Sequence, residues 1–124
     1  MAPIPFHTTD WNNAEWTTHP GDAGVAYWQT LQYGDLRIRK VKYTAGYKAN
    51  HWCTKGHLLF LLEGDLRSEL SDGRVFELKA GMSYQVTNGT SAHRSTSKNG
   101  AELVIIDGGF LNSNKKTKPN PWRM

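Results

Sequence analysis

Five histidines and a single cysteine are the metal-binding or nucleophilic side chains of this 124-residue chain. His7 and His19 lie in a proline-bearing N-terminal stretch, whereas His51, Cys53, His57 and His93 lie in the body. His51 and Cys53 are two residues apart, so on an extended strand both leave the same face. His57 follows after Thr54-Lys55-Gly56, a break short enough for a tight turn returning its ring to the first two. His93 arrives from a distant stretch behind Asn88-Gly89-Thr90-Ser91. Three imidazoles and a thiolate are a donor set that Zn²⁺ or another borderline-soft divalent ion takes. Singly, a histidine in a β domain is more often a surface or satisfied core residue, and a lone cysteine a small buried hydrophobe. Spacing alone does not bring the four together. Cys53 beside His51 or His57 would also make a thiolate nucleophile, but no flanking signature accompanies that pair. Neither a phosphate-cradling glycine loop nor a dinucleotide fingerprint is present.

Positioning these groups is the task of short strands. All five prolines fall outside residues 21–118, where apolar runs alternate with Gly, Asp and Asn, the pattern of strands joined by turns. Gly24 to Leu31 and Leu36 to Tyr43 read as a hairpin around Gln32-Tyr33-Gly34-Asp35. Leu36 and Ile38 share one parity and Val41 and Tyr43 the other, which predicts a bulge near Arg39 or Lys40. Further strands are expected at His57 to Glu63, Leu66 to Leu70, Arg74 to Leu78, Ser83 to Val86, Ala92 to Ser97 and Ala101 to Asp107, with Asp72-Gly73 and Asn99-Gly100 as hairpin turns. No stretch has a sustained helical period, so the fold class is all-β, a small barrel or sandwich. His57, Leu59 and Leu61 take one face and Leu58, Phe60 and Leu62 the other, so both faces need cover. If His57 points inward, the outer face is covered by the N-terminal segment with Trp11 and Trp16, or by a second copy in a homodimer.

Parity places Tyr84 with Val86, toward the interior, where it either offers a hydroxyl near a cofactor or packs as a core aromatic. Trp52 points opposite to its neighbours His51 and Cys53. Glu63 stands six strand residues from His57, about 20 Å, too far to share a metal with it.

A chain of this length forms one domain with a real core. Its 38% hydrophobic content includes no apolar run approaching the roughly 20 residues of a membrane span. The N-terminus lacks the basic and apolar regions of an export signal, so the cytoplasm is the expected location. Four of the 15 basic residues, Lys115, Lys116, Lys118 and Arg123, crowd the last fourteen positions, and the remainder balance the 11 acids. The net charge of +4 is therefore a tail property, and a nucleic-acid partner is not expected.

The stretch from Gly46 to Ser95 resembles the two motifs of the cupins. The first reads Gly46, four residues, His51-x-Cys53, three residues, His57, six residues, Gly64. The second begins at Gly81, passes Gly89 and reaches His93. The family has Gly, five residues, His-x-His, three or four residues, Glu, six residues, Gly, and later a Pro-x-Gly ahead of its last histidine. The resemblance puts His51 and Cys53 in the places of His-x-His, His57 in that of the glutamate, and His93 in that of the final histidine. Thr87 stands where proline is usual and Ser97 where asparagine is. Asn50-His51-Trp52-Cys53, with Gly81-Met82-Ser83-Tyr84-Gln85-Val86 and Ala92-His93-Arg94-Ser95, is similar to the small bacterial DHCW-motif cupins over roughly residues 20 to 108, although Asn50 replaces the aspartate of that name.

The resemblance implies a cupin-type β-barrel (jelly roll) over residues 21–110, preceded by an extended segment at 1–20 and followed by a basic tail at 111–124. Inside it, one divalent transition metal ion, Zn, Ni, Fe or Mn, would be held by His51, Cys53, His57 and His93. By family analogy the function is a metal-dependent enzyme acting on a small molecule, an oxygenase or an isomerase. The rival expectation is a non-catalytic small-ligand binding or sensing module with a structural metal or none. Four protein ligands close a tetrahedral site, whereas catalysis needs an open position.

Overall fold

The computed structural model describes residues 3–113. The expected basic tail lies outside the described residues from position 114 on. Nine strands form one curled, wholly antiparallel sheet: β1 (Thr17–Pro20), β2 (Val25–Tyr33), β3 (Leu36–Tyr43), β4 (Tyr47–Lys48), β5 (His57–Leu70), β6 (Val75–Lys79), β7 (Ser83–Val86), β8 (His93–Ser97) and β9 (Ala101–Asp107). The order is β1-β2-β3-β9-β5-β8-β4, with β6 and β7 also pairing with β5. Among the described residues no helix is long and apolar enough to cross a membrane.

Residues 57–70 form one long strand where two were expected. The first half of β5 pairs with β7 and β9, the second half with β6 and β8. A register shift between Leu61 and Glu63 lets it turn the corner. Gly64 sits at that corner with φ +83°, and a Cβ there would stand 2.0 Å from the Gly100 carbonyl oxygen. Gly64→Ala is therefore expected to lower stability by more than the 1–2 kcal/mol of left-handed backbone strain alone, measured as a fall in the denaturant midpoint.

The hairpin turns at Gly34-Asp35, with Tyr33 opposite Leu36. The bulge expected near Arg39 or Lys40 does not exist: β3 runs in continuous register against both β2 and β9. The parity conflict has another solution. Leu36 and Ile38 face outward, while Arg37 and Arg39 share the inner face with buried Val41, and Arg39 is buried as an ion-paired side chain.

The core is Ala26, Val41, Leu59, Leu61, Leu66, Leu78, Ala101, Leu103 and Ile105. Toward one end of the barrel the inward positions become polar: Arg39, His57, His93 and Asp107 are all buried. The N-terminal segment covers β2 rather than the outer face of β5. Buried Gln29 donates to the carbonyls of Trp11 (2.6 Å) and Ala14 (2.9 Å), and Phe60 and Leu62 stay 44% and 49% exposed.

Candidate metal centre

Backbone pairing assembles the site. Cys53 and His93 exchange both N–H···O bonds, at 2.8 and 3.0 Å, the pairing that puts two side chains on the same face about 5.5 Å apart at Cα. His57 enters at the start of β5, fixed from outside by Asn88. That side chain accepts from the Gly56 N–H at 2.6 Å and donates to the Gly108 carbonyl at 3.2 Å, tying the turn before His57 to the end of β9. Donor atoms of Cys53, His57 and His93 consequently lie within 4.8 Å of one another.

His51 is not among them. It stands exposed at the rim, its Nδ1 hydrogen-bonded to Asn50 Oδ1 at 2.7 Å. Register gives the reason. Tyr47 opposes Ser97 and Lys48 opposes Thr96, so an uninterrupted strand would set His51 against His93. Cys53 takes that place instead, and two extra residues loop out. The condition for His51 and Cys53 to leave one face, an extended strand through both, is therefore not met.

The ring orientations suit metal binding. His93 Nδ1 is hydrogen-bonded to the Ser91 carbonyl at 3.0 Å, which makes it the donor and leaves Nε2 bare; that Nε2 is buried without a partner. His57 Nδ1 lies 3.2 Å from Asp107 Oδ2, in ion-pair range but not aligned as a hydrogen bond, and its Nε2 faces Cys53 Sγ at 3.7 Å. Two ligands on a tetrahedral zinc with Zn–S about 2.3 Å and Zn–N about 2.05 Å would be about 3.6 Å apart. A carboxylate or carbonyl behind each imidazole is the usual support of a ligating histidine. Burial alone would raise the Cys53 thiol, but the neighbouring imidazoles, first His57 and then His93, bring it down to about 5, so the sulfur is a thiolate at neutral pH. These residues fit a divalent transition metal.

Asp107 is the functional residue that sequence reasoning missed. It is 1% exposed and accepts from Arg37 Nε (3.0 Å) and Nη2 (3.1 Å) and from Arg39 Nη2 (2.9 Å). Burial pushes its carboxyl up, yet His57 and the two guanidinium groups overrule that and hold it well below the carboxylate range. Burial lowers His57, and Asp107 and Cys53 more than offset this, leaving it above its ordinary value. The missed signal was strand alternation: Ala101, Leu103, Ile105 and Asp107 have one parity and are all buried.

A cavity of about 140 Å³ adjoins the cluster, lined among others by Trp28, Arg39, Tyr43, His51, Cys53 and Tyr84. Tyr84 is directed inward opposite Leu59, its ring 5.8 Å from that of His93 in an edge-on arrangement. Burial raises its hydroxyl, which stays protonated. Trp52 is 41% exposed under the Arg94 guanidinium, pointing away from the donors.

No family model matches the chain, and no curated protein matches it. Solved structures do. An RmlC-like cupin from Shewanella frigidimarina superposes with TM-score 0.65 at 20% identity, over 83% of this chain and 90% of its own. The fold is that of a cupin. FeII HppE matches this cupin barrel with TM-score 0.69 at 14% identity, covering 85% of the chain, which spans only 62% of HppE. A cupin-superfamily sugar phosphate isomerase from Silicibacter pomeroyi gives 0.64 at 14% identity, over 82% of the chain and 75% of its own.

Proposed function

We propose that the protein is a metal-dependent enzyme acting on a small molecule, related to the DHCW-motif cupins, with Cys53, His57 and His93 holding one divalent ion at the cavity wall. The observation that carries this reading is the meeting of three competent donor atoms within 4.8 Å beside a cavity. Three protein ligands leave a coordination position for substrate, as catalytic zinc sites do. FeII HppE and the sugar phosphate isomerase add that this fold accommodates an iron-bound protein and an isomerase.

When bound, the ion would supply Lewis acidity to a substrate oxygen. The chain's own residues do the rest. Asp107 fixes the His57 ring, the Ser91 carbonyl fixes that of His93, and Tyr84 presents a protonated hydroxyl to the same cavity. The rival reading, a non-catalytic binding or sensing module, draws on His51 at the cavity rim as a fourth ligand, the third imidazole, that would close the site.

Metal analysis of untagged protein and Co²⁺ substitution decide between them. The expected result is one equivalent of metal and a thiolate–cobalt charge-transfer band absent from Cys53→Ser, with ligand-field bands that shift on adding azide. A four-coordinate spectrum indifferent to azide would favour the module, and failure to retain any metal would defeat both metal readings. Because thiolate and imidazole must be deprotonated to ligate, metal should be released as pH falls below about 6.5, followed by dialysis at stepped pH.

We also propose a homodimer through the outer face of β5. Leu58, Phe60 and Leu62 continue across the sheet, Leu58 opposite Ile106 and Phe60 opposite Val104, as an apolar surface of the kind that marks interfaces. Sedimentation should give a dimer at micromolar concentration and a monomer for Phe60→Lys; a wild-type monomer would refute the assembly.

A further inference from the structure

The cavity beside the three donors has an unusual charge balance. Arg37, Arg39 and Arg94 all contribute to its lining, and no carboxylate does. Glu69 pairs with Arg94 at 3.2 Å. Behind the wall, the single carboxylate of Asp107 serves both Arg37 and Arg39. Arg39 is 5% exposed, and its Nε is buried without any partner. An unsatisfied buried donor costs about 1–3 kcal/mol, more when charged. Arg39 also lines the cavity, and it shares its one carboxylate partner with Arg37, so its guanidinium is available to an acceptor that enters from outside.

The guanidinium is also held in place. Its central carbon lies 4.3 Å over the Trp28 ring, with that of Arg37 at 5.5 Å. Trp28 is itself stacked on His19, ring centroids 3.6 Å apart. A planar fork fixed against an aromatic ring is pre-organised for an oxyanion. The rest of the lining sets the shape of that ligand. Tyr43, Tyr47, Tyr84, Leu59 and Ile105 make an apolar and aromatic enclosure, and 140 Å³ is close to the roughly 150 Å³ of a cavity that takes benzene.

From this geometry we infer that the cavity receives a small organic monocarboxylate, its carboxylate on Arg39 and its body against the tyrosines, adjacent to Cys53, His57 and His93. This names the substrate class of the site and rests on the reading of that cavity as the place where a small molecule binds. Arg39 is a binding residue in this account.

Calorimetric titration of the untagged protein with benzoate, benzamide and inorganic phosphate tests it, in metal-stripped and zinc-loaded samples, with zinc affinity measured in parallel. Benzoate should bind one to one, at least tenfold tighter than its neutral isostere benzamide, and quench tryptophan fluorescence through Trp28. Arg39→Gln should weaken benzoate at least tenfold without affecting benzamide. Should that variant not fold, the benzoate-to-benzamide ratio in the wild type decides alone. A protein that binds zinc but takes benzoate no better than benzamide overturns the carboxylate inference and leaves the metal reading intact. Phosphate binding as tight as benzoate overturns the choice of carboxylate. Selective benzoate binding by a protein that binds no zinc supports the inference and defeats the metal reading.

Discussion

His93→Ala should cost metal affinity about 100-fold or more, whereas His51→Ala should cost less than about tenfold and His7→Ala nothing. Zinc sites carry roughly 10–16 kcal/mol of apparent affinity spread over their ligands, and 100-fold is about 2.7 kcal/mol, a modest share for one ligand of three. His93 is the sharper choice over His57 because its Nε2 is buried and unpartnered, so the alanine variant gives up only one hydrogen bond, from Nδ1 to the Ser91 carbonyl. Loss of fold is therefore not the expected cause, and circular dichroism at the assay temperature checks that. His51 is exposed at the cavity rim and hydrogen-bonded to Asn50. Competition titration with a chromophoric chelator reads the affinities. Equal losses for His51→Ala and His93→Ala would mean the rim histidine ligates and that the site holds four protein ligands. No loss for His93→Ala would remove the metal centre.

The strand plan was legible because turns and parity are local. Asp72-Gly73 closes the β5–β6 hairpin with Gly73 at φ +94°, and β9 was anticipated to the residue; Asn99-Gly100, expected as a hairpin turn, instead joins β8 to β9, which lie on either side of β5 and do not pair with each other. The cupin fold was legible through the spacing of Gly46, His51, His57, Gly64 and His93. Two failures share another origin. Reading apolar residues as inward produced a bulge in β3, because hydrophobic patterning assumes an apolar interior and this one contains Arg39 and Asp107. Counting by twos from His51 to Cys53 assumed that a strand continues, and nothing local announces that two residues loop out. That event is set by which residue of a distant segment pairs with His93, a long-range competition between registers. The parity of Arg37, Arg39, Val41 and Tyr43, set beside that of Ala101, Leu103, Ile105 and Asp107, did hold the answer: two inward basic residues on one strand and one inward acid on another.

That buried pairing governs the second large effect, the response to Asp107→Asn. The substitution keeps the shape but leaves Arg39 charged at 5% exposure with no counter-ion, and breaking a buried pair from one side costs about 3–5 kcal/mol. For a domain of this size each kcal/mol is worth roughly 3–6 °C, so the melting temperature should fall by on the order of 10–30 °C. Acid should produce the same loss in the wild type. The folded carboxyl of Asp107 is held below its unfolded value of about 3.9. Its contribution is therefore complete above that value and disappears as pH falls from there through the folded pKa. Asp107→Asn should accordingly flatten the acid limb of the stability curve, which denaturant titrations from pH 7 down to about pH 2 would record. The double variant Arg39→Met, Asp107→Leu separates charge from packing, because replacing both partners with apolar groups is often neutral or stabilising. It should recover much of the stability lost by Asp107→Asn while still losing metal affinity by about 10–100-fold, since the His57 ring has lost its carboxylate. A single variant as stable as the wild type would show that Arg39 finds other solvation and does not depend on Asp107 as its counter-ion.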